Sequence, residues 1–151
     1  MQAWRAEEWR GEFVGGPALL AEAFIAVAQE AAESETGTRL LTPYPLPQDL
    51  PDLAAWTAAY REVGPHVPAP NFYALPTYEA VYLIAAAIEQ AAHPHQPLTR
   101  SDLQAALPDV RRTGALGEIA WDAAGYWAAA PLYAYEWTSG RPALIEVIDA
   151  P

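Results

Sequence analysis

The chain contains 151 residues, of which 52% are hydrophobic and 11% aromatic, and it carries 19 acidic side chains against 8 basic ones. This length and apolar content suit one modest domain with a real core, and they argue against disorder. The net charge of −11 disfavours nucleic acid and anionic membrane surfaces, because binding either one takes clustered cations. We therefore expect no nucleic-acid partner.

Two residue types that carry much enzyme chemistry, cysteine and lysine, do not occur in the sequence. Their absence excludes disulfides, thiolate metal sites, cysteine nucleophiles, Schiff-base chemistry and the phosphate-binding loop that needs a lysine. No apolar stretch reaches the roughly 20 residues of a membrane-crossing helix. Residues 1–10 mix tryptophan with arginine and glutamate, so we expect no signal peptide in this chain.

The first third of the chain predicts a strand, a helix and a second strand, after a short polar helix over residues 2–9. Residues 12–14 predict a strand closed by glycines and Pro17, which suits the first turn of a helix. Apolar residues at helical spacing predict that helix, which ends over residues 34–37: Leu20, Phe24, Val27 and Ala31. Residues 39–42 predict a strand, and the proline-rich run 43–47 predicts a hinge-like connector.

The middle of the chain predicts three helices. The first opens at residues 49–51 and stops at residues 64–65. Thr77 is expected to cap the second, and one stripe of that helix is expected to face the core: Tyr78, Val81, Tyr82, Ala85 and Ile88. Thr99 and Asp102 have the spacing of a capping box for the third.

The last part of the chain predicts a meander of three strands over residues 116–121, 132–137 and 143–147. A turn at residues 122–125 follows the first strand. Tyr133, Tyr135 and Trp137 alternate onto one face of the second strand, which suits a core or an interface. The whole order, strand–helix–strand–three helices–meander, predicts an α/β fold.

Three stretches, in this order and spacing, carry a likeness to a known family. They are Phe13-Val14-Gly15-Gly16-Pro17 with Arg39-Leu40-Leu41-Thr42-Pro43, then residues 77–88 with their aromatic-acidic-Ala step, then residues 117–125 with the following strand. The chain resembles the C-terminal portion of type I periplasmic binding proteins, in the class of ABC transporter substrate-binding proteins for branched-chain amino acids.

The resemblance implies part of a fold with two Rossmann-like α/β lobes joined by hinge strands, truncated on its N-terminal side. It implies that residues 1–43 belong to the second lobe, 44–113 to the first, and 114–151 to the second again. A sheet without its inner strands exposes unpaired edges, so we expect self-association through strand edges or pairing with a second chain. A compact, self-sufficient fold is the alternative.

The resemblance also implies ligand-binding residues. Gly16, Pro17 and Ala18 would contact the ligand from the second lobe, and Tyr73 would lay an aromatic ring over it from the first. Pro17 stands where amino-acid-binding members can have an acidic side chain for the ligand's ammonium group, which puts amino-acid specificity in doubt. Alternatively, residues 16–18 are a plain helix start and Tyr73 packs in its loop against Trp56 or Tyr78.

No set of side chains predicts catalysis, a cofactor or a metal site. His93 and His95 have no third ligand near them in the sequence, and His66 is isolated between prolines. No serine lies in a nucleophile elbow. Arg111 and Arg112 precede a strand, where adjacent arginines typically form surface ion pairs. We therefore expect no enzyme; a hydrolase using Asp or Glu with His is the weaker alternative.

The resemblance therefore implies a solute-binding protein that captures a small molecule, amino-acid-like, an amide or an aromatic acid, in an interlobe cleft. Its partners would be that ligand and an ABC permease, and the full-length protein would be periplasmic or extracellular, with a lipid or wall anchor. A ligand-sensing receptor domain of the same fold and a non-catalytic subunit-pairing protein are the alternatives.

Overall fold

The computed structural model describes residues 12–28, 38–65, 67 and 69–149, which form two compact units. Among these residues, the first unit contains 12–45 and 131–149, and the second contains 46–130. The predicted helix over residues 2–9 and the helix end at residues 34–37 lie outside the described residues. So do Ala31 and His66.

The regular elements alternate along the chain as an α/β order. In chain order they are β1 (Phe13–Gly15), a 3-10 turn (Pro17–Leu20), α1 (Glu22–Ala28), β2 (Thr38–Thr42), 3-10 turns (Pro47–Asp49 and Pro51–Leu53), α2 (Ala54–Glu62), α3 (Ala74–Ala91), α4 (Arg100–Ala106), a 3-10 turn (Leu107–Asp109), β3 (Arg112–Gly114), β4 (Gly117–Ile119), β5 (Leu132–Thr138) and β6 (Arg141–Ile148). None of the described helices combines the length and the apolarity that crossing a membrane would take.

The chain crosses between the two units twice. The first crossing lies close to the predicted segment boundary at residues 43–44, and the second lies well after the one predicted at residues 113–114. The chain passes from the first unit to the second at residues 45–46, beside the proline-rich run, and returns at residues 130–131. Residues 114–130 group with the preceding helices in the second unit. The assignment of each unit to a lobe of a larger receptor stays a prediction.

The first unit is built on a mixed four-stranded sheet in the order β1-β2-β5-β6. β1 runs parallel to β2, whereas β5 and β6 are antiparallel to their neighbours, with an irregularity at Ala134 and Tyr135. α1 connects the two parallel strands, as a parallel pair requires a crossover. The predicted strand–helix–strand segment and the last two predicted strands are present.

One face of this sheet is the core of the first unit. Strand alternation buries Thr38, Leu40 and Thr42 on β2, and the cross-strand register places Leu40 opposite Tyr135. Tyr133, Tyr135 and Trp137 are all buried, which confirms the predicted core face of β5. The ring of Phe24 on α1 lies 6.1 Å from that of Trp137.

The predicted buried stripe of α1 is wrong at Val27, which is 65% exposed, whereas Ala28 is buried. The reason is a change of helix type. Residues 17–20 form a separate 3-10 turn, so Leu20 precedes α1 and does not set its phase. Within α1, Phe24 contacts the ring of Trp137 on β5, and Ala28, one turn later, is buried.

The proline-rich run after β2 contains no strand, as predicted. The Thr42 hydroxyl donates to the Tyr44 carbonyl and accepts from the Tyr44 backbone N–H, both at 3.1 Å, which bends the chain at the end of β2. Pro45 and Pro47 are fully buried. The hinge role of this run stays a prediction.

The second unit begins with two 3-10 turns and α2, and its longest element is α3. We predicted a start at Thr77, but α3 begins at Ala74, with Tyr73 at its N-cap position. Pro76 did not stop it, because the first four N–H groups of a helix need no intrahelical partner. The N–H of Thr77 donates to the Tyr73 carbonyl at 3.1 Å, in the first turn.

The predicted core stripe of α3 is wrong. Its five members are exposed, Val81 to 61% and Tyr78 to 36%, and the expectation of a core position for Tyr78 is therefore wrong too. The buried residues follow another line of the helix, one turn apart: Leu75, Glu79, Leu83 and Ala87. Apolar residues surround most of α3, so periodicity alone cannot decide which side packs.

The C-terminal part of the second unit has the predicted capping box and turn, but the predicted three-strand meander is wrong, because its first strand lies in a sheet separate from that of β5 and β6. Thr99 and Asp102 form the predicted capping box at the start of α4. The predicted strand at residues 116–121 is shorter, and it pairs with β3, a strand we did not predict, in a two-stranded sheet. The predicted turn at residues 122–125 is present, where the Gly125 N–H donates to the Asp122 carbonyl at 3.0 Å.

Candidate functional site

The three predicted contact residues Gly16, Pro17 and Ala18 lie where β1 gives way to the 3-10 turn. Gly16 is the N-cap residue of that turn, Pro17 starts it, and the side chain of Ala18 is exposed. The loop offers a ligand backbone groups and apolar surface. The acidic residue nearest before it in the sequence, Glu12, is paired with Arg39 at 3.5 Å.

The two glycines of this loop differ in what they require. A Cβ atom at Gly15 would collide with the Leu19 side chain, whereas one at Gly16 would have no heavy atom within 4 Å. Gly16 also has a φ of −92°, which any residue can adopt. A Cβ atom at Gly15 would therefore require the Leu19 side chain to move, whereas one at Gly16 would displace nothing.

Tyr73 lies at the N-terminal end of α3 and is 58% exposed. Its backbone N–H donates to Asn71 Oδ1 at 2.9 Å, which holds the turn that leads into the helix. Its ring centroid lies 4.0 Å from that of Phe72, which is buried and anchors the loop. Tyr73 is thus an accessible aromatic face on a supported turn.

The predicted residues fall on both units: Gly16, Pro17 and Ala18 belong to the first, and Tyr73 to the second. The structure brings the first three together in one loop and leaves Tyr73 on a separate body. Their joint role in binding stays a prediction.

Glu79, a buried carboxylate of the second unit, was not predicted from the sequence as a residue of interest. Its side chain is 1% exposed, and Oε2 accepts a hydrogen bond from Arg112 Nε at 2.9 Å. Oε1 accepts from the Ala115 N–H at 2.6 Å. Both carboxylate oxygens are therefore occupied, and the pair ties α3 to the β3–β4 turn. Glu79 is the only charged residue in the apolar run of residues 75–88, a signal that could have identified it.

Two neighbouring residues, Gly114 and Tyr82, accommodate this ion pair. A Cβ atom at Gly114 would collide with the Glu79 carboxylate, so only glycine leaves room there. The Arg112 guanidinium carbon lies 4.4 Å from the centroid of the Tyr82 ring, a cation–π contact. We predicted surface ion pairs for Arg111 and Arg112. Arg112 instead pairs with a buried carboxylate, and Arg111 donates to the backbone carbonyls of Pro108 and Val110.

Four aromatic rings form a row on the second unit. The Trp56 ring lies 5.4 Å from that of Tyr60 and 5.7 Å from that of Tyr78, and Tyr78 and Tyr82 are 4.9 Å apart. A side-chain hydrogen bond with Tyr82 raises the pKa of Tyr78, with a smaller effect from burial. The Tyr78 hydroxyl therefore stays neutral at ordinary pH.

Within the described residues, no cluster of three or more His, Asp or Glu side chains could hold a metal ion. His93 and His95 are both exposed in the loop after α3.

Comparison with known proteins gives one family and one fold. A family model described as periplasmic binding protein matches residues 5–142. A leucine-binding protein from Thermotoga maritima has a similar structure, with a TM-score of 0.74 and 23% identity over 95% of this chain. A leucine-, isoleucine-, valine-, threonine- and alanine-binding protein from Brucella ovis has a TM-score of 0.74 and 16% identity over 98% of this chain.

A solute-binding protein from R. palustris, solved with benzoate, has a TM-score of 0.63 and 18% identity over 91% of this chain. At these identities the likeness establishes the fold alone. This chain spans 39% of the length of the first two structures and 37% of the third. A comparison with curated protein sequences finds no significant match. The matched family and structures are of substrate-binding proteins, which agrees with the expectation that the chain is not an enzyme.

Proposed function

Because this chain belongs to the periplasmic binding protein family, we propose that it is part of a receptor that captures a small molecule for an ABC importer. The observation that carries this proposal is the family match over residues 5–142 together with the shared fold of three solute-binding structures. The full-length protein would work in the periplasm or outside the cell. Residues 12–45 with 131–149 would belong to one lobe and residues 46–130 to the other.

The ligand would meet backbone and apolar groups at Gly16, Pro17 and Ala18 and an aromatic face at Tyr73. Exposure of Ala18 and Tyr73 supports this assignment, as does the lack of any packing demand on Gly16. An aromatic face beside apolar groups suits a ligand with an apolar body.

Among amino acids, amides and aromatic acids, we favour a ligand without an ammonium group. An ammonium ion needs a carboxylate or several acceptors when it is taken out of water. The loop at residues 16–18 has none on its side chains, and Glu12 is already paired with Arg39. An aromatic carboxylate or an amide needs hydrogen-bond donors and no carboxylate, and the backbone of this loop can provide N–H groups.

Thermal unfolding of the complete gene product tests this proposal, with leucine, benzoate and benzamide as ligands. Ligand at about 100 times its Kd stabilises the folded state by about 2.7 kcal/mol, which raises Tm measurably. We expect benzoate or benzamide to raise Tm and leucine to leave it unchanged. Tyr73→Ala should abolish most of the rise, whereas Tyr126→Ala, at a 72% exposed tyrosine of the same unit, should keep it.

Tight binding of leucine would contradict the ligand class, and an undiminished Tm rise in Tyr73→Ala would contradict the site. An uptake assay with the cognate permease separates an importer component from a sensing domain of the same fold, because only the former supports uptake. The apolar exposed side of α3 favours a second candidate, a chain that pairs with another subunit.

A further inference from the structure

We propose that the two units reorient through backbone rotation at Ala129, whereas the proline-rich run that also joins them stays rigid. Within the described residues the chain passes between the units twice, at residues 45–46 and at residues 130–131. We call residues 42–47 the first crossing and residues 129–131 the second crossing. The proposal places the moving joint outside the predicted hinge-like connector at residues 43–47, and it does not depend on the class of ligand.

Backbone rotation is restricted throughout the first crossing. Each residue from 42 to 47 is either a proline or the residue before one. Proline fixes its own φ, and its ring keeps the preceding residue in extended conformations. Leu46, for example, has a φ of −73° and a ψ of 135°. The sequence of this crossing therefore leaves few dihedral angles that could change.

Burial and hydrogen bonds also hold the first crossing in place. The Thr42 side chain is fully buried, and its hydroxyl makes two hydrogen bonds of 3.1 Å to the backbone of Tyr44. Pro45 and Pro47 are fully buried as well. A change of orientation at this crossing would have to disrupt these contacts, so we expect it to act as a rigid support.

The second crossing is short, and the residues on both sides of it are held. Before it, the Ala128 N–H donates to the Ala120 carbonyl at 2.8 Å, within the second unit. After it, Leu132 pairs with Ile148 in the sheet of the first unit. Backbone rotation at this crossing is therefore confined to residues 129–131.

Ala129 is the residue of the second crossing that no proline restricts. Pro131 has a fixed φ, and Ala130 precedes it. Ala129 has a φ of 60°, in the left-handed region, where a residue with a Cβ atom is strained. Its side chain is exposed, and within the described part of the chain no hydrogen bond holds its backbone. Rotation to an extended conformation would therefore relieve strain without breaking a hydrogen bond.

The two crossings together give the chain one rigid connection and one joint with two backbone states. Residues in sparsely populated backbone conformations concentrate in switch regions, where the strain is part of the mechanism. Hinges between domains consist of a few loop residues that absorb a large change of φ and ψ. The left-handed and the extended state of Ala129 would each correspond to one orientation of the units.

Double electron–electron resonance on the full chain tests the proposal. Because the chain has no cysteine, Ser101→Cys in the second unit and Glu146→Cys in the first provide two exposed sites for nitroxide labels. An excess of unlabelled chain restricts the measurement to distances within one chain. Ala129→Gly makes left-handed and extended conformations similarly accessible and should broaden the distance distribution. Ala129→Val disfavours the left-handed state and should shift the mean distance.

The matched control is Ser139→Gly. Ser139 also has a left-handed backbone, with a φ of 52°, but it lies in the turn between β5 and β6 inside the first unit, so the distribution should stay unchanged. Tyr44→Gly in the first crossing should also leave the distribution unchanged, because Pro43 and Pro45 still restrict the backbone. Circular dichroism verifies that each variant is folded.

An unchanged distribution in both Ala129 variants would overturn the proposal. Equal broadening in Tyr44→Gly and Ala129→Gly would overturn it too, because the first crossing would then be as mobile as the second. The measurement adds no ligand, so a failure of the proposed receptor function would leave its result unaffected.

Discussion

Glu79 shows how one buried charge sets the packing of a helix that is otherwise apolar. Removing a carboxylate from water is costly unless its oxygens are hydrogen-bonded, and here both are. Separating the Glu79 carboxylate from Arg112 or from the Ala115 N–H would cost free energy. The side of α3 that contains Glu79 therefore faces β3 and β4. The arginine is partly exposed, with 28% of its side chain accessible, so solvent moderates the pair.

Glu79→Ala should lower the free energy of unfolding of the second unit by about 3 kcal/mol, because it leaves the Ala115 N–H and the partly solvated Arg112 without their acceptor. Glu79→Gln keeps a hydrogen-bond acceptor and should cost about 1–3 kcal/mol. Urea denaturation followed by circular dichroism measures both. Glu89→Gln, at an exposed position of the same helix, should change stability by less than about 0.5 kcal/mol. Equal effects of Glu79→Gln and Glu89→Gln would contradict a structural role for the buried pair.

Gly114→Ala should destabilise the second unit by about 1–3 kcal/mol, because the added methyl group meets the carboxylate of Glu79, which its hydrogen bonds hold in place. The same substitution in the Glu79→Ala background should cost far less, since the obstructing group is gone. A double-mutant cycle measures this coupling. Additive effects of the two substitutions would show that the glycine serves another purpose, such as backbone freedom.

At the scale of an element, α4 is defined by local contacts that its own sequence supplies. Thr99 and Asp102 satisfy one another's backbone N–H groups in a capping box, and this arrangement needs no distant residue. α3 is the opposite case. Its exposed side is apolar from Tyr78 to Ile88, and only distant contacts decide its orientation.

Thr99→Ala should lower stability by about 1 kcal/mol at pH 6, as loss of an N-cap does. Hydrogen bonds from the Thr99 side chain and backbone lower the pKa of Asp102 below its ordinary value of 3.8. A lowered folded-state pKa contributes stability above pH 3.8, and this contribution is lost as the pH falls through the lower folded value. The difference in free energy of unfolding between wild type and Thr99→Ala should therefore become smaller at low pH.

Urea denaturation at pH 6 and at pH 3 measures this difference in free energy of unfolding. Ser101→Ala, an exposed neighbour within α4, is the control and should show little effect at either pH. A difference in free energy of unfolding that grows on acidification would contradict the assigned role of the Asp102 carboxylate.

At the scale of the whole molecule, apolar and strand-edge surface remains uncovered within the described residues. β1 and β6 each pair on one side only, and β1 is just three residues long. Val81, Ile84 and Ile88 of α3 are each more than 40% exposed. Contiguous apolar surface of this kind drives association. The chain covers 39% of the length of two similar structures, so much of their fold has no counterpart in it.

We propose that the isolated chain self-associates, and light scattering behind a sizing column should give a mass above that of one chain. Val81→Glu places a charge on the apolar side of α3 and should shift the mass toward the monomer. Gln90→Glu adds the same charge to α3 outside that surface and should leave the mass unchanged. A cooperatively unfolding wild-type monomer would contradict this proposal.

Local features of the sequence determined the α/β order, the capping box, the turn after Trp121 and the buried face of β5, because each depends on neighbours in the chain. The contact residues Gly16, Pro17, Ala18 and Tyr73 came from a family resemblance, and their accessibility is a property of the folded chain. Only the tertiary structure decided which side of α3 is buried, because its apolar residues cover more than one face. Glu79 and Arg112 lie 33 residues apart, so their pairing cannot be predicted from a helical pattern, which depends only on residues close together in the chain.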